Sequence, residues 1–188
     1  MIKRLIIIIL AFLMVTPLAV AKEIGGAKLP DSMTAGKDEL VLNGAGLRKK
    51  FRFVKVYVGG LYLIQKNADP QKIIEADESM AVKMHFIRDG VSGKQLIDGW
   101  TEGFDKATGG NVLPIKEEID RFNSFFTEEA KKDDVYDIIY NPGQGISVFM
   151  KGTLKGTIRG LDFKKALFSI WLGNKPADSG LKEGMLGK

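Results

Sequence analysis

Alternating apolar and polar positions predict strands before and after the middle of the chain. The run Phe51–Leu63 is rich in Val, Phe and Tyr, which suit a pleated, half-buried surface. In Ala81–Ile87, three apolar residues alternate with Lys83 and His85, so one face of that strand is buried. Further strands are predicted over Glu39–Asn43, Val135–Tyr140, Ile146–Met150 and Thr153–Ile158, after a strand or irregular lead-in over Lys22–Asp38.

Helical spacing and capping residues predict a block of helices between these strands and two more at the end. Asp69 caps a short helix that begins at Pro70. Ser92 and Gln95 form a capping box that opens a second helix, which ends at Gly109-Gly110. Apolar residues at helical spacing predict three further helices, over Ile115–Lys131, Leu161–Leu172 and Ser179–Leu186. Asp178 is predicted to cap the last of them.

The order of these elements predicts the fold class. Strands flank a central block of helices, and a strong turn, Asn141-Pro-Gly-Gln-Gly, joins two of the late strands. This order favours an α+β fold with a mainly antiparallel sheet and helices on one face. We find no repeat and no interdomain linker, so one domain is predicted over residues 22–188.

The first 21 residues predict a cleaved secretory signal peptide. Lys3 and Arg4 precede the apolar run Leu5–Val15, and Ala19-Val20-Ala21 forms an A-x-A cleavage site. The apolar run of eleven residues is too short to span a bilayer. Cleavage after Ala21 leaves 188 − 21 = 167 residues, predicted to be periplasmic or otherwise exported and not inserted in a membrane.

Composition excludes several classes of chemistry. The chain has no cysteine, which excludes thiolate catalysis, and its one histidine, His85, excludes a multi-histidine metal site and leaves no Ser/His/Asp pattern worth pursuing. The net charge of +5 includes two cations of the signal peptide, and no arginine-rich stripe is present. We therefore expect no nucleic-acid partner, no metal and no cofactor.

Candidate chemistry lies in Leu42–Leu63. Gly44 and Gly46 precede Arg48, and backbone without side chains can bend there or approach a ligand closely. Arg48 beside an apolar sheet, with the Tyr57 hydroxyl nearby, is a candidate site for a carboxylate. The alternative is a surface arginine with Tyr57 packed in the core. Because these two residues are nine apart, they share a face only if a bend, bulge or hairpin separates them.

Two blocks of sequence resemble the chalcone isomerase fold family. They are NGAGLR…FRFVKVYVGGLYL and LFSIWLGNKPADSGLKEGMLG, and the likeness covers nearly all of residues 22–188 in element order. The resemblance implies an open-faced β-sandwich, a large antiparallel sheet with a layer of helices. It also implies that Arg48 binds the acidic group of a ligand. Tyr57 stands where the true isomerases carry a threonine, which resembles the fatty-acid-binding branch.

The resemblance leaves three functions open. Aligned on Gly93, two further catalytic positions of the isomerases are Leu96 and Gly103 here, which offer no side-chain donor to a developing enolate. We therefore favour a non-catalytic binder of a fatty acid or similar lipophilic acid, with Arg48 and Tyr57 as ligand-binding residues and no catalytic residue. The alternatives are an isomerase or lyase acting on an unknown enone or polyphenol, with Lys55 and Tyr62 as the nearby polar groups, and a structural or interaction protein without a ligand.

Overall fold

The computed structural model describes residues 22–51 and 53–188. The predicted signal peptide, residues 1–21, lies outside the described residues. The central feature is a seven-stranded antiparallel sheet in the order β3-β4-β5-β6-β7-β8-β9. Its strands are β3 (Ser32–Ala35), β4 (Asp38–Lys50), β5 (Val54–Leu63), β6 (Met80–Phe86), β7 (Val135–Asn141), β8 (Gly145–Met150) and β9 (Thr153–Ile158). A separate hairpin consists of β1 (Lys22–Ile24) and β2 (Ala27–Leu29).

Five α-helices complete the described fold. They are α1 (Pro70–Glu75), α2 (Gly93–Thr108), α3 (Lys116–Asn123), α4 (Leu161–Leu172) and α5 (Ser179–Met185), with a 3₁₀ turn over Leu113–Ile115. The caps predicted from sequence are present: Asp69 on α1, the Ser92 and Gln95 box on α2, and Asp178 on α5. In the described part of the chain, no helix is both long and apolar enough to cross a bilayer.

Each face of the sheet buries its own core. The larger core joins one sheet face to the helices and includes Phe86, Trp100, Phe122 and Trp171. The smaller core lies on the opposite face, where Ala27 and Leu29 of the β1–β2 hairpin pack against Val58 and Tyr62 of β5 and their neighbours. Alternate residues of β5 therefore enter different cores, as the two-residue period of a strand requires. The predicted α+β class and the antiparallel sheet with helices on one face are confirmed.

Three predicted elements differ from the structure by several residues. The predicted strand Phe51–Leu63 begins only at Val54, because Phe51 and Phe53 lie in the turn that precedes it. The predicted helix Ile115–Lys131 ends at Asn123, because the Ser124 hydroxyl bonds to the Arg121 carbonyl and the chain tightens into turns. Phe126 and Ala130 are buried nonetheless, the latter in a β-bridge with Val91. The short strand predicted over Glu39–Asn43 is instead the first half of β4, which continues through Gly44 and Gly46 to Lys50.

A buried lysine, which the sequence analysis missed, ties α4 to α1. The Lys164 ammonium donates to the carbonyls of Ile73, Ile74 and Ala76 at the C-terminal end of α1, at 2.7–3.0 Å. Burial lowers the pKa of Lys164 to about 8. This cation satisfies carbonyls that the end of a helix leaves without partners, so its role is structural.

Candidate ligand-binding site

A cavity of about 320 Å³ lies between the β4–β5 hairpin and α2. This volume is at the small end of the range typical of ligand pockets, about 300–1,000 Å³. Its walls are mostly apolar, and they include Val54, Val56, Met84, Val91, Leu96, Trp100 and Ile170. Arg48 and Tyr57 also line it, so the two predicted site residues lie at the same cavity.

The hairpin between β4 and β5 explains how residues nine apart reach one site. Arg48 and Tyr57 are direct cross-strand partners in the antiparallel pair, so their side chains project from the same face. The strands reverse after Lys50 and resume at Val54, and Phe51 adopts a φ of 53° in the turn. A shift of register follows Arg48, where Lys49 pairs with Lys55. The hairpin that the sequence left open is therefore present.

Arg48 is held near the cavity by the N-terminus of α5. One of its terminal nitrogens lies 3.8 Å from a carboxylate oxygen of Asp178 and bonds to the Lys49 carbonyl. The same Asp178 oxygen accepts the Lys49 backbone N–H at 2.9 Å, and its other oxygen accepts from Leu181 at 2.9 Å. The Arg48 side chain retains 23% of its exposure. Among the described residues, no hydrogen bond engages its other two nitrogens, which leaves donors for a bound anion.

Tyr57 presents a hydroxyl in a buried position. The Trp171 indole N–H donates to this hydroxyl oxygen at 3.0 Å, and the Phe86 ring packs against the phenol with centroids 5.7 Å apart. Burial raises the pKa of Tyr57, and the neighbouring Arg48 charge opposes that rise. The group is therefore a neutral phenol, and within the described structure its O–H is donated to no partner.

The glycines before Arg48 do not approach a ligand, contrary to one reading of the sequence. A Cβ on Gly44 would lie 2.3 Å from the Gly184 carbonyl oxygen, and one on Gly46 would lie 2.8 Å from the Leu181 carbonyl oxygen. Both glycines therefore admit the backbone of α5 against β4. Their contribution to the site is indirect: close packing of α5 places its capping residue, Asp178, beside Arg48.

Charged side chains line the rim of the cavity. Lys50 and Arg88 contribute positive charge, and Glu102 on α2 pairs with Lys106. The hydrogen bond that Lys106 donates to Glu102 lowers the pKa of this carboxyl group. The positive charges of Arg48 and Lys50 lower the same pKa by smaller amounts. No cluster of three or more His, Asp or Glu residues that could bind a metal occurs within the ranges described.

Comparison with known proteins identifies the family. A family described as chalcone isomerase-like matches residues 21–187, which is nearly the whole chain. The chain belongs to the chalcone isomerase-like family. The resemblance inferred from the two sequence blocks is thus confirmed.

Individual relatives of this chalcone isomerase-like protein are distant. It is 23% identical over 181 residues to fatty-acid-binding protein 1 of Arabidopsis thaliana, an alignment that covers 79% of this chain and 63% of the relative. The chain thus spans less than two thirds of that protein's length. The crystal structure of an Arabidopsis thaliana fatty-acid-binding protein superposes with a TM-score of 0.71 at 20% identity, covering 90% of this chain and 96% of the other. The superposition shows a shared fold.

Two positions that the family's isomerases are expected to use lie on the cavity wall but carry no polar side chain. Leu96 and Gly103 both line the cavity from α2. Gly103 is closely packed, because a Cβ there would lie 2.8 Å from the Ile170 side chain. The two alternative polar candidates are elsewhere: Tyr62 donates to the Pro30 carbonyl on the opposite face of the sheet, and Lys55 does not line the cavity.

Trp100 is a cavity residue that was not among the predicted site residues. It lies on α2 between Leu96 and Gly103, and its ring packs against Phe122, Phe126 and Trp171. Its indole N–H is buried and has no hydrogen-bond partner among the described residues. Helical spacing from Leu96 would have placed it on the same face of α2.

Proposed function

We propose that this protein binds a fatty acid or a similar lipophilic acid and carries out no reaction on it. One observation carries the proposal: Arg48 and Tyr57 lie side by side at the wall of a cavity that is otherwise mostly apolar. A carboxylate requires charged or strong hydrogen-bond donors, and an acyl chain requires an apolar wall. The sequence similarity to a fatty-acid-binding protein supports the same ligand class.

The two side chains would share the carboxylate between them. Arg48 would donate from nitrogens that no described hydrogen bond engages, and its planar guanidinium suits two parallel contacts to one carboxylate. Tyr57 would donate its O–H to the ligand while its oxygen accepts from Trp171. When no ligand is bound, the Asp178 carboxylate balances the Arg48 charge from 3.8 Å away. This distance leaves room for the ligand carboxylate to draw the guanidinium toward the cavity.

We propose that binding takes place after export. The charged, apolar and A-x-A segments of residues 1–21 support this location. Protein recovered from the cell envelope is expected to begin at Lys22, as read from its intact mass. An envelope protein that still begins at Met1 would contradict export with cleavage.

The ligand class is tested by titrating delipidated protein with a long-chain fatty acid and with its methyl ester. A charge-assisted hydrogen bond contributes roughly 1.5–3 kcal/mol, and the ester keeps the acyl chain but loses the charge. The ester is therefore expected to bind about ten- to a hundredfold more weakly. Displacement of a fluorescent fatty acid measures both affinities under identical conditions.

Equal affinities for acid and ester would contradict the carboxylate site while leaving apolar binding possible. No affinity for either compound would contradict the binding function. Steady turnover of a chalcone, abolished by changing Arg48, would support the isomerase alternative instead, although Leu96 and Gly103 supply no donor for the enolate.

A further inference from the structure

The tip of the β4–β5 hairpin exposes two large aromatic side chains, and one of them, Phe51, lines the cavity. Phe51 and Phe53 retain 72% and 77% of their exposure. Phe51 also adopts a φ of 53°, a left-handed conformation that bulky residues seldom take and that Asn or Gly adopts readily. Neither core packing nor turn geometry accounts for phenylalanine here. An exposed apolar patch with a polar rim is typical of a surface that binds a protein or a membrane.

Three lysines flank the two phenylalanines along the hairpin. Lys49, Lys50 and Lys55 are all exposed, and none of them forms an ion pair with a described residue. The Lys50 ammonium lies 5.4 Å from the centroid of the Phe51 ring. On the facing helix α2, the acidic residues Asp98 and Glu102 have their own partners in Lys94 and Lys106, although Glu102 also responds to the charge of Lys50. The tip therefore combines apolar rings with uncompensated positive charge.

We propose that this tip, comprising Lys49, Lys50, Phe51, Phe53 and Lys55, docks on the surface of an anionic lipid bilayer. The phenylalanines would enter the interface between headgroups and acyl chains, and the ammonium groups would contact lipid phosphates. Lys50, Phe51 and Val54 also line the cavity, so docking would turn the cavity mouth toward the bilayer. An acyl chain could then pass between membrane and cavity, an outcome that rests on the proposed function.

The charge of the tip disfavours a second copy of this chain as the partner. A two-fold dimer formed through the tip would bring the three lysines of one copy against the same lysines of the other. Two aromatic side chains bury at most about 500 Å², whereas a stable protein interface buries about 800 Å² on each partner. An anionic membrane complements the positive charge of the tip and can take up its small apolar area.

The test measures co-sedimentation with vesicles of phosphatidylcholine alone or mixed with phosphatidylglycerol, without fatty acid. Every variant is recovered from the cell envelope as the form that begins at Lys22, because an uncleaved apolar and cationic segment of residues 1–21 would bind anionic vesicles by itself. Wild type is expected to bind the anionic vesicles at least tenfold more tightly than the neutral ones, and less tightly as salt rises. The double variant Phe51→Asn, Phe53→Thr is expected to lose at least tenfold in affinity. Leu113→Ser removes a side chain that is also 77% exposed, and is expected to bind like wild type.

A second pair of variants tests the charge. Lys49→Gln with Lys50→Gln is expected to weaken anionic binding roughly thirtyfold, since each basic residue near such a surface contributes about fivefold to the affinity. Lys131→Gln with Lys132→Gln changes two exposed lysines elsewhere and is expected to have little effect. This comparison retains the test if the phenylalanine variant fails to fold.

Three outcomes would overturn membrane docking. The first is equal binding of wild type to neutral and anionic vesicles. The second is equal vesicle binding by the tip variants and their controls. The third is a dimer, seen by light scattering, that the tip variants lose while their vesicle binding stays at the level of wild type. Fatty-acid titrations in vesicle-free solution separate this proposal from the function of the cavity. Tip variants that bind fatty acid normally but no longer bind vesicles support docking. If wild type binds vesicles but no fatty acid, only the proposed function of the cavity is contradicted.

Discussion

Gly44→Ala is expected to destabilise the protein by about 3 kcal/mol or more, a lowering of Tm by about 6–12 °C for a chain of this size. The added methyl would lie 2.3–2.8 Å from three backbone atoms, which belong to Gly184, Met185 and Gly187. Backbone cannot move aside as the end of a flexible side chain can. The clash is therefore relieved only if α5 moves away from β4, which would expose apolar residues such as Leu181 and Met185. Thermal and urea denaturation measure the loss.

Gly99→Ala is the matched control for this substitution. Gly99 lies within α2, and a Cβ there meets no atom within 4 Å. Replacing a helical glycine with alanine stabilises a protein by roughly 0.5–1 kcal/mol, so the same chemical change is expected to act in the opposite direction. If Gly44→Ala leaves the free energy of unfolding unchanged, the close packing of α5 on β4 is not needed for stability.

Local signals in the sequence predicted much of this fold. The caps at Asp69, Ser92 and Asp178 are present because each needs only a side chain and the next turn of backbone. Strand β9 and helix α4 begin and end at the predicted residues, since periodicity and flanking glycines define both. Short turns join four of the six neighbouring strand pairs of the sheet, and strands joined in this way are antiparallel.

Features that depend on distant contacts were not predictable in the same way. Gly44 and Gly46 indicated a close approach, but the approaching backbone comes from about 140 positions later in the chain. The β4–β5 turn has no Gly, Asn or Pro to announce it, and Phe51 takes the left-handed conformation instead. The sequence therefore predicted Arg48 and Tyr57 as site residues without predicting that they lie directly opposite each other.

Asp178 illustrates the same limit within the candidate site. Its sequence context predicted a helix cap, and it does cap α5. Only the tertiary structure brings the other carboxylate oxygen to the Lys49 N–H and to within 3.8 Å of Arg48. The orientation of Arg48 therefore depends on how α5 packs against β4. This packing links the stability of the fold to the geometry of the cavity.

Tyr57→Phe is expected to have the smaller effect on ligand affinity at the candidate site and the larger effect on stability. It removes one neutral donor toward the ligand, so affinity is expected to fall by less than for loss of Arg48. It also leaves the buried Trp171 N–H without its acceptor, and an unsatisfied buried donor costs about 1–3 kcal/mol in the free energy of unfolding. Melts are therefore recorded alongside each titration.

Arg48→Ala is expected to weaken fatty-acid binding by about ten- to a hundredfold, because it removes a charge-assisted contact contributing roughly 1.5–3 kcal/mol. Stability should change little, since its partly exposed ion pair with Asp178 is long at 3.8 Å and such pairs contribute about 0–1 kcal/mol. Arg48→Lys should recover part of the affinity, since a point charge cannot make two parallel contacts. Arg88→Ala removes an exposed arginine from the same cavity rim and controls for net charge. Equal losses in Arg48→Ala and Arg88→Ala would mean that the rim attracts acids generally and that Arg48 is not their anchor.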